Sequence, residues 1–96
     1  MKLTLRVELT PELKVAIRHL SKRERKQVGS IITAVRDGLG NPHLHSGLGI
    51  RRLRSDMFEC RVTLKLRLIF IAEAGVLSFI DLATHDEVRR LIKTAR

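Results

Sequence analysis

The chain contains no tryptophan and no tyrosine, and its only aromatic residues are three phenylalanines. Proteins that hold single-stranded nucleic acid by stacking bases on a sheet need several exposed rings. A stacking platform of that kind is excluded, so contact with a polyanion has to run through phosphates. Cysteine occurs once, as Cys60, which rules out an internal disulfide and fits a reducing compartment. Alternating with Phe58 and Val62, it reads as a small buried hydrophobe rather than a nucleophile. No run approaches the ~18 apolar residues of a membrane span, and the opening MKLTLRVELTPEL has no apolar signal core. No membrane association is expected, and the cytoplasm is the default location. Acidic residues are also short in supply: ten Asp and Glu stand against nineteen Lys and Arg.

What is present follows from that imbalance. A net charge of +9 on 96 residues makes a field that favours nucleic acid, an anionic surface or an acidic protein. The length suits one domain over residues 1–96, with no repeats or linkers. The organising stretch is Gly49 to Ala72, GIRRLRSDMFECRVTLKLRLIFIA, which reads as two or three adjacent strands. From Phe58 to Lys65 apolar and polar residues alternate, so Phe58, Cys60, Val62 and Leu64 are predicted to face a core. Glu59, Arg61, Thr63 and Lys65 then share the other face. Leu66 to Ile71 is a nearly continuous apolar run that suits a central strand, with Arg67 as its one charge.

Around this stretch the elements order as β-α-α-β-β-β-α. Met1 to Glu8 alternates as a first strand. Thr10-Pro11 opens a helix, with Thr10 as N-cap and Leu13, Ala16, Ile17 and Leu20 as its buried stripe. Ser21 and Glu24 have capping-box spacing for a second helix, whose stripe is Val28, Ile31, Ile32, Val35 and Leu39 and whose end is marked by Gly38, Gly40 and Pro42. The run Lys22 to Lys26 places positive charge where the helix dipole disfavours it, which points mildly to a polyanion. Glu73-Ala74-Gly75 is a turn into a last strand from Val76 to Ala83. Thr84 and Glu87 form a second capping box, opening a short helix with Val88, Leu91 and Ile92 inward. The predicted fold is α+β: an N-terminal strand and αα-hairpin packed on a mostly antiparallel twisted sheet, with a short C-terminal helix.

With the helices on one face, the other is expected to collect Arg61, Lys65 and Arg67, with Arg51, Arg52 and Arg54 just upstream. Arginine binds phosphate bidentately and stays charged at any relevant pH. Arg67, flanked by apolar residues, is expected to be partly buried, with Glu59 or Asp81 as its partner. His43 and His45 precede the basic strands as an H-x-H pair, but nothing completes a metal set and no metal is expected. His85 falls at a helix start, where free amides favour anions. A histidine there suits proton transfer near neutral pH.

GIRRL, FECRVTLKLRLIF and DLATHDEVRRLIK, in that order, resemble the RelE/ParE superfamily of toxins from type II toxin–antitoxin systems. FEC-R is most similar to the RelE/YafQ-like branch, Arg-Leu-Ile-Phe to a family strand, and the closing strand with Thr-His-x-x-Val to a further shared signature. The resemblance implies a RelE-like fold and a metal-independent mRNA endoribonuclease without cofactor, acting on ribosome-bound mRNA. In that chemistry the substrate's 2′-hydroxyl attacks the adjacent phosphate to give a cyclic phosphate. Carried over, His85, Arg67, Arg61 and Lys65 are the implied catalytic residues, and Glu59 is a weaker base. Arg51, Arg52, Arg54, His45 and Arg89 are implied substrate contacts, with His43 the alternative loop histidine. Implied partners are mRNA, the ribosome and an acidic antitoxin, in a homodimer or a toxin–antitoxin hetero-oligomer. The sequence departs from the family in lacking a C-terminal aromatic residue and in carrying Lys65 where the YafQ-like branch has an acid. The resemblance also leaves open a ParE-like gyrase poison, or an inert basic domain that binds RNA or protein.

Overall fold

The computed structural model describes residues 5–38 and 49–94, with side chains to residue 90. In chain order it contains β1 (Arg6–Leu9), α1 (Pro11–Arg18), α2 (Lys22–Gly38), β2 (Arg51–Arg54), β3 (Met57–Arg61), β4 (Leu66–Glu73), β5 (Val76–Thr84) and α3 (His85–Thr94). The strands form one sheet in the order β1-β5-β4-β3-β2. β1 runs parallel to β5, and every other pair is antiparallel. The predicted α+β architecture is therefore the observed one. Leu39, Gly40, Pro42 and the first part of the predicted first strand lie outside the described residues.

The helix starts follow from local hydrogen bonding. Thr10 Oγ1 accepts from the Leu13 N–H at 3.2 Å, as an N-cap should, and donates to the Ile80 carbonyl at 3.2 Å. One hydroxyl thus starts α1 and fastens it to β5. Ser21 and Glu24 exchange both bonds of a capping box at 3.1 Å each. On the sheet face beneath these helices, Leu13 and Val35 pack with Cys60, Leu68, Phe70, Leu77 and Phe79. Phe70 is the centre of this layer, with ring centroids 5.5 Å from Phe58 and 5.2 Å from Phe79. All three aromatic residues are spent on the core. Cys60 is buried there, and burial, followed by the Glu59 charge, pushes its thiol up to about 12. It is no nucleophile at neutral pH.

Three expectations need correction. The stretch from Gly49 holds three strands, the upper number expected, so the predicted element order gains one strand, the edge strand Arg51–Arg54 paired with β3. The strand predicted to run from Phe58 to Lys65 ends at Arg61, because Thr63 Oγ1 accepts from the N–H groups of Lys65 (3.3 Å) and Leu66 (3.0 Å). That side chain draws the backbone into a turn instead of a ladder. Leu64 consequently stands 82% exposed rather than facing the core. Finally, the helices do not share one face. Val88 of α3 packs with Ile69 and Ala83, joined by Leu53, Met57 and Ile80, in a second apolar cluster. Its separation from the first cluster follows strand alternation: Leu68 and Phe70 point to α1 and α2, and Ile69 points the other way. No helix among the described residues is long and apolar enough to cross a membrane.

Candidate functional site

Arg61, the last residue of β3, stands opposite Arg67 on β4, and Arg67 stands opposite Ala83 on β5. The two arginines therefore lie beside the α3 cluster, on the face away from α1 and α2. Like charges directly across a strand pair are destabilising by a few tenths of a kcal/mol or more, so packing alone does not account for the pair. Arg67 is only 9% exposed, as its apolar neighbours led one to expect. Its anchor differs from the prediction. Nη1 donates to the Thr63 carbonyl at 3.0 Å, and among the described residues it pairs with neither Glu59 nor Asp81. Glu59, 5% exposed, meets Arg51 at 3.0 Å through Oε1, and its buried Oε2 has no hydrogen-bond partner. Asp81 is exposed and accepts from the Leu82 N–H at 2.8 Å.

The Val62–Lys65 turn is the scaffold of the site. Val62 and Thr63 N–H groups close it onto the Leu66 carbonyl at 3.0 and 3.2 Å, and the His85 N–H donates to the Lys65 carbonyl at 3.3 Å. This last bond fixes the turn against the start of α3. Thr84 and Glu87 lock that start with reciprocal bonds of 3.0 and 3.1 Å. Between turn and helix lies an open cleft of about 600 Å³, lined by Leu64, Lys65, Arg67, Thr84, His85 and Asp86. It brings a guanidinium, an ammonium, an imidazole and a carboxylate to one surface. Two cations and two groups able to exchange protons are what transfer at a phosphodiester requires.

The Glu87 carboxyl is held below the usual carboxylate range by its bonds with Thr84, the backbone N–H first and the hydroxyl second, with a smaller attraction from Arg90. A lowered folded value stabilises the helix start fully above about pH 4.3, the unfolded-chain value. That contribution is lost as pH falls through the folded value. The protection of the Thr84 amide proton, measured relative to exchange in the unfolded chain at the same pH, is expected to fall through this acidic window, and Glu87→Gln is expected to remove that fall.

The predicted residues divide accordingly. Lys65, Arg67 and His85 line the cleft, and Arg61 flanks it as the cross-strand neighbour of Arg67. Gly49, at φ 66°, passes directly over Arg61: a Cβ there would stand 3.3 Å from the Arg61 Cβ. Arg51, Arg52 and Arg54 are on the edge strand, two strands from β4, roughly 10 Å at ordinary strand spacing. Arg51 is engaged by Glu59, and Arg52 Nε donates to the Ser55 carbonyl at 2.7 Å. Arg89 is exposed on α3 and does not line the cleft. His43 and His45 lie outside the described residues. Among the described residues no group of three or more His, Cys, Asp or Glu is placed to hold a metal ion. Sequence reasoning missed Leu64 and Asp86 as cleft residues, and Thr63 as the acceptor that aims Arg67. A threonine at the end of an alternating run was the available signal.

No protein-family model and no curated protein matches the chain by sequence. Solved structures do match it in three dimensions. An archaeal RelE–RelB complex from Pyrococcus horikoshii contains a chain superposing with a TM-score of 0.70 at 16% identity, over 84% of this chain and 94% of that one. The chain has the fold of the RelE/ParE toxins. A YoeB dimer from Staphylococcus aureus gives 0.68 at 15% identity (85% and 98% covered), and YafQ from E. coli gives 0.67 at 14% (88% and 97%). Values so close do not separate the branches of the RelE/ParE fold, so the YafQ-like assignment drawn from FEC-R is not resolved. In this chain the cleft sits where β4 begins, β5 ends and α3 starts.

Proposed function

We propose that this protein is the toxin of a toxin–antitoxin system, a cytoplasmic single-domain endoribonuclease that cuts ribosome-bound mRNA without a metal. The observation that carries this is the convergence of Lys65, Arg67 and His85 on one cleft, from a turn, a strand and a helix start. The 2′-hydroxyl of the substrate attacks the adjacent phosphorus, and the bond to the 5′-oxygen breaks. The products are a 2′,3′-cyclic phosphate and a 5′-hydroxyl. Arg67 and Lys65 meet the negative charge that builds on the phosphorane oxygens. The imidazole of His85 gives the leaving 5′-oxygen its proton, and Asp86, the carboxylate of the cleft, accepts the 2′-hydroxyl proton. Glu59 is assigned no proton transfer, since it is buried, paired with Arg51 and away from the cleft lining. The +9 charge favours an acidic antitoxin partner, and the similar RelE chain from Pyrococcus horikoshii was solved as a complex with RelB.

The test is induced expression with mapping of cellular mRNA 5′ ends. Wild type is expected to arrest growth and create new 5′-hydroxyl ends, and His85→Ala to do neither while melting at the wild-type temperature. Arrest that persists in His85→Ala removes the assignment. Arrest with intact mRNA and rising DNA breaks replaces it with gyrase poisoning.

A further inference from the structure

A second cavity lies on the other side of the Val62–Lys65 turn. It is a groove of about 310 Å³ lined by Arg23, Lys26, Gln27, Ser30, Ile31 and Val62. The five helical residues follow i, i+3, i+4, i+7, i+8 spacing, so they form one continuous face of α2. Ile31 and Val62 border the main core and make an apolar floor. Arg23 and Lys26 are exposed, and among the described residues neither has an ion-pair partner. No lining residue is acidic. The cations in the first turns of α2 disfavour the helix, yet they stand at the mouth of this groove.

The groove and the cleft are neighbours through the chain itself. Val62 lines the groove and Leu64 lines the cleft, and two peptide steps separate them by at most about 7 Å between Cα atoms.

We propose that the α2 groove binds the single-stranded RNA segment that adjoins the cleaved bond. Its phosphates meet Arg23 and Lys26, and a ribose or base face covers Ile31 and Val62. Gln27 and Ser30 hydrogen-bond a base edge. An acidic peptide is the competing occupant, but Gln27 and Ser30 both donate and accept, which matches base edges better than carboxylates. Continuity with a phosphodiester cleft also favours RNA. The inference rests on the ribonuclease reading above.

The experiment uses the full chain and two fluorescent, uncleavable 2′-O-methyl RNAs, of about three and about ten nucleotides, the longer spanning both cavities. Wild type is expected to bind the longer one more tightly. Arg23→Ala/Lys26→Ala is expected to weaken the longer RNA roughly tenfold at low salt and to reduce its salt slope by about 1.4, the share of two single-strand phosphates. The short RNA is expected to bind as before. Equal loss on both RNAs, or no loss on either, overturns the groove while leaving the ribonuclease reading standing. Loss of poly-glutamate binding with retained RNA binding overturns it in favour of an acidic polypeptide. A wild type that neither binds these RNAs nor cuts mRNA removes the ribonuclease reading together with the groove. Both substituted side chains are exposed, so an unchanged thermal melt excludes a folding effect.

Discussion

Arg67→Ala is expected to slow RNA cleavage by about 10²- to 10³-fold, the usual cost of removing one preorganised donor to a developing oxyanion. The guanidinium lies at the base of the cleft, and Nη1 is held by the Thr63 carbonyl at 3.0 Å. One edge of the fork is thus fixed by the protein while the remaining N–H groups can meet a phosphate. Arg67→Lys keeps the charge but cannot hold the carbonyl and present a second donor pair together, so an intermediate loss is expected. Stability should fall modestly: the lost hydrogen bond has a charged donor and is worth about 1.5–3 kcal/mol, offset in part by relief of the opposition to Arg61. Single-turnover rates with a urea melt measure both effects. Full cleavage by a folded Arg67→Ala protein would show that the phosphorane is stabilised elsewhere.

The largest effect on stability is expected at Phe70. It is fully buried on β4, with Phe58 on one flank and Phe79 on the other. Phe70→Ala removes the central ring of that layer, and the backbone of a strand hydrogen-bonded on both sides cannot collapse to fill the space. A loss of about 3–5 kcal/mol is expected, a large share of the 5–15 kcal/mol typical of a whole domain. Equilibrium urea unfolding measures it directly. Phe58→Ala, at a half-buried position, should cost less. A Phe70→Ala loss near 1 kcal/mol, the average for any substitution, would mean that the layer repacks.

Helix starts were the most legible part of the fold. Thr10, the Ser21–Glu24 box and the Thr84–Glu87 box are local devices whose partners lie within three residues, so spacing alone reveals them. The end of β3 was not legible, because alternation continues through Leu64 while the Thr63 hydroxyl bends the backbone. Nor does strand alternation say which face a distant helix covers. Ile69 and Ala83 are apolar on both readings, and the placement of Val88 over them depends on tertiary packing. In the candidate site, the burial of Arg67 was readable from its neighbours. Its anchor was not, since a backbone carbonyl four residues away competes with carboxylates that the sequence makes more conspicuous. The α2 groove was visible only as an unfavourable charge run. Its second wall, Val62, comes from a residue on the far side of two elements.

The parallel pairing of β1 with β5 sets a schedule for assembly. Arg6 meets Val76 and Leu9 meets Phe79, while Thr10 is fastened to Phe79 and Ile80. The first strand and helix therefore have no sheet to join until the last strand has been synthesised, and contacts of such long sequence separation form slowly. His85 follows that strand directly, so its imidazole reaches Lys65 and Arg67 only at the end of the same process. A chain still being translated carries most of its positive charge but has no cleft. On the toxin reading proposed above, that delay would give an antitoxin an interval in which to meet the chain before its cleft exists.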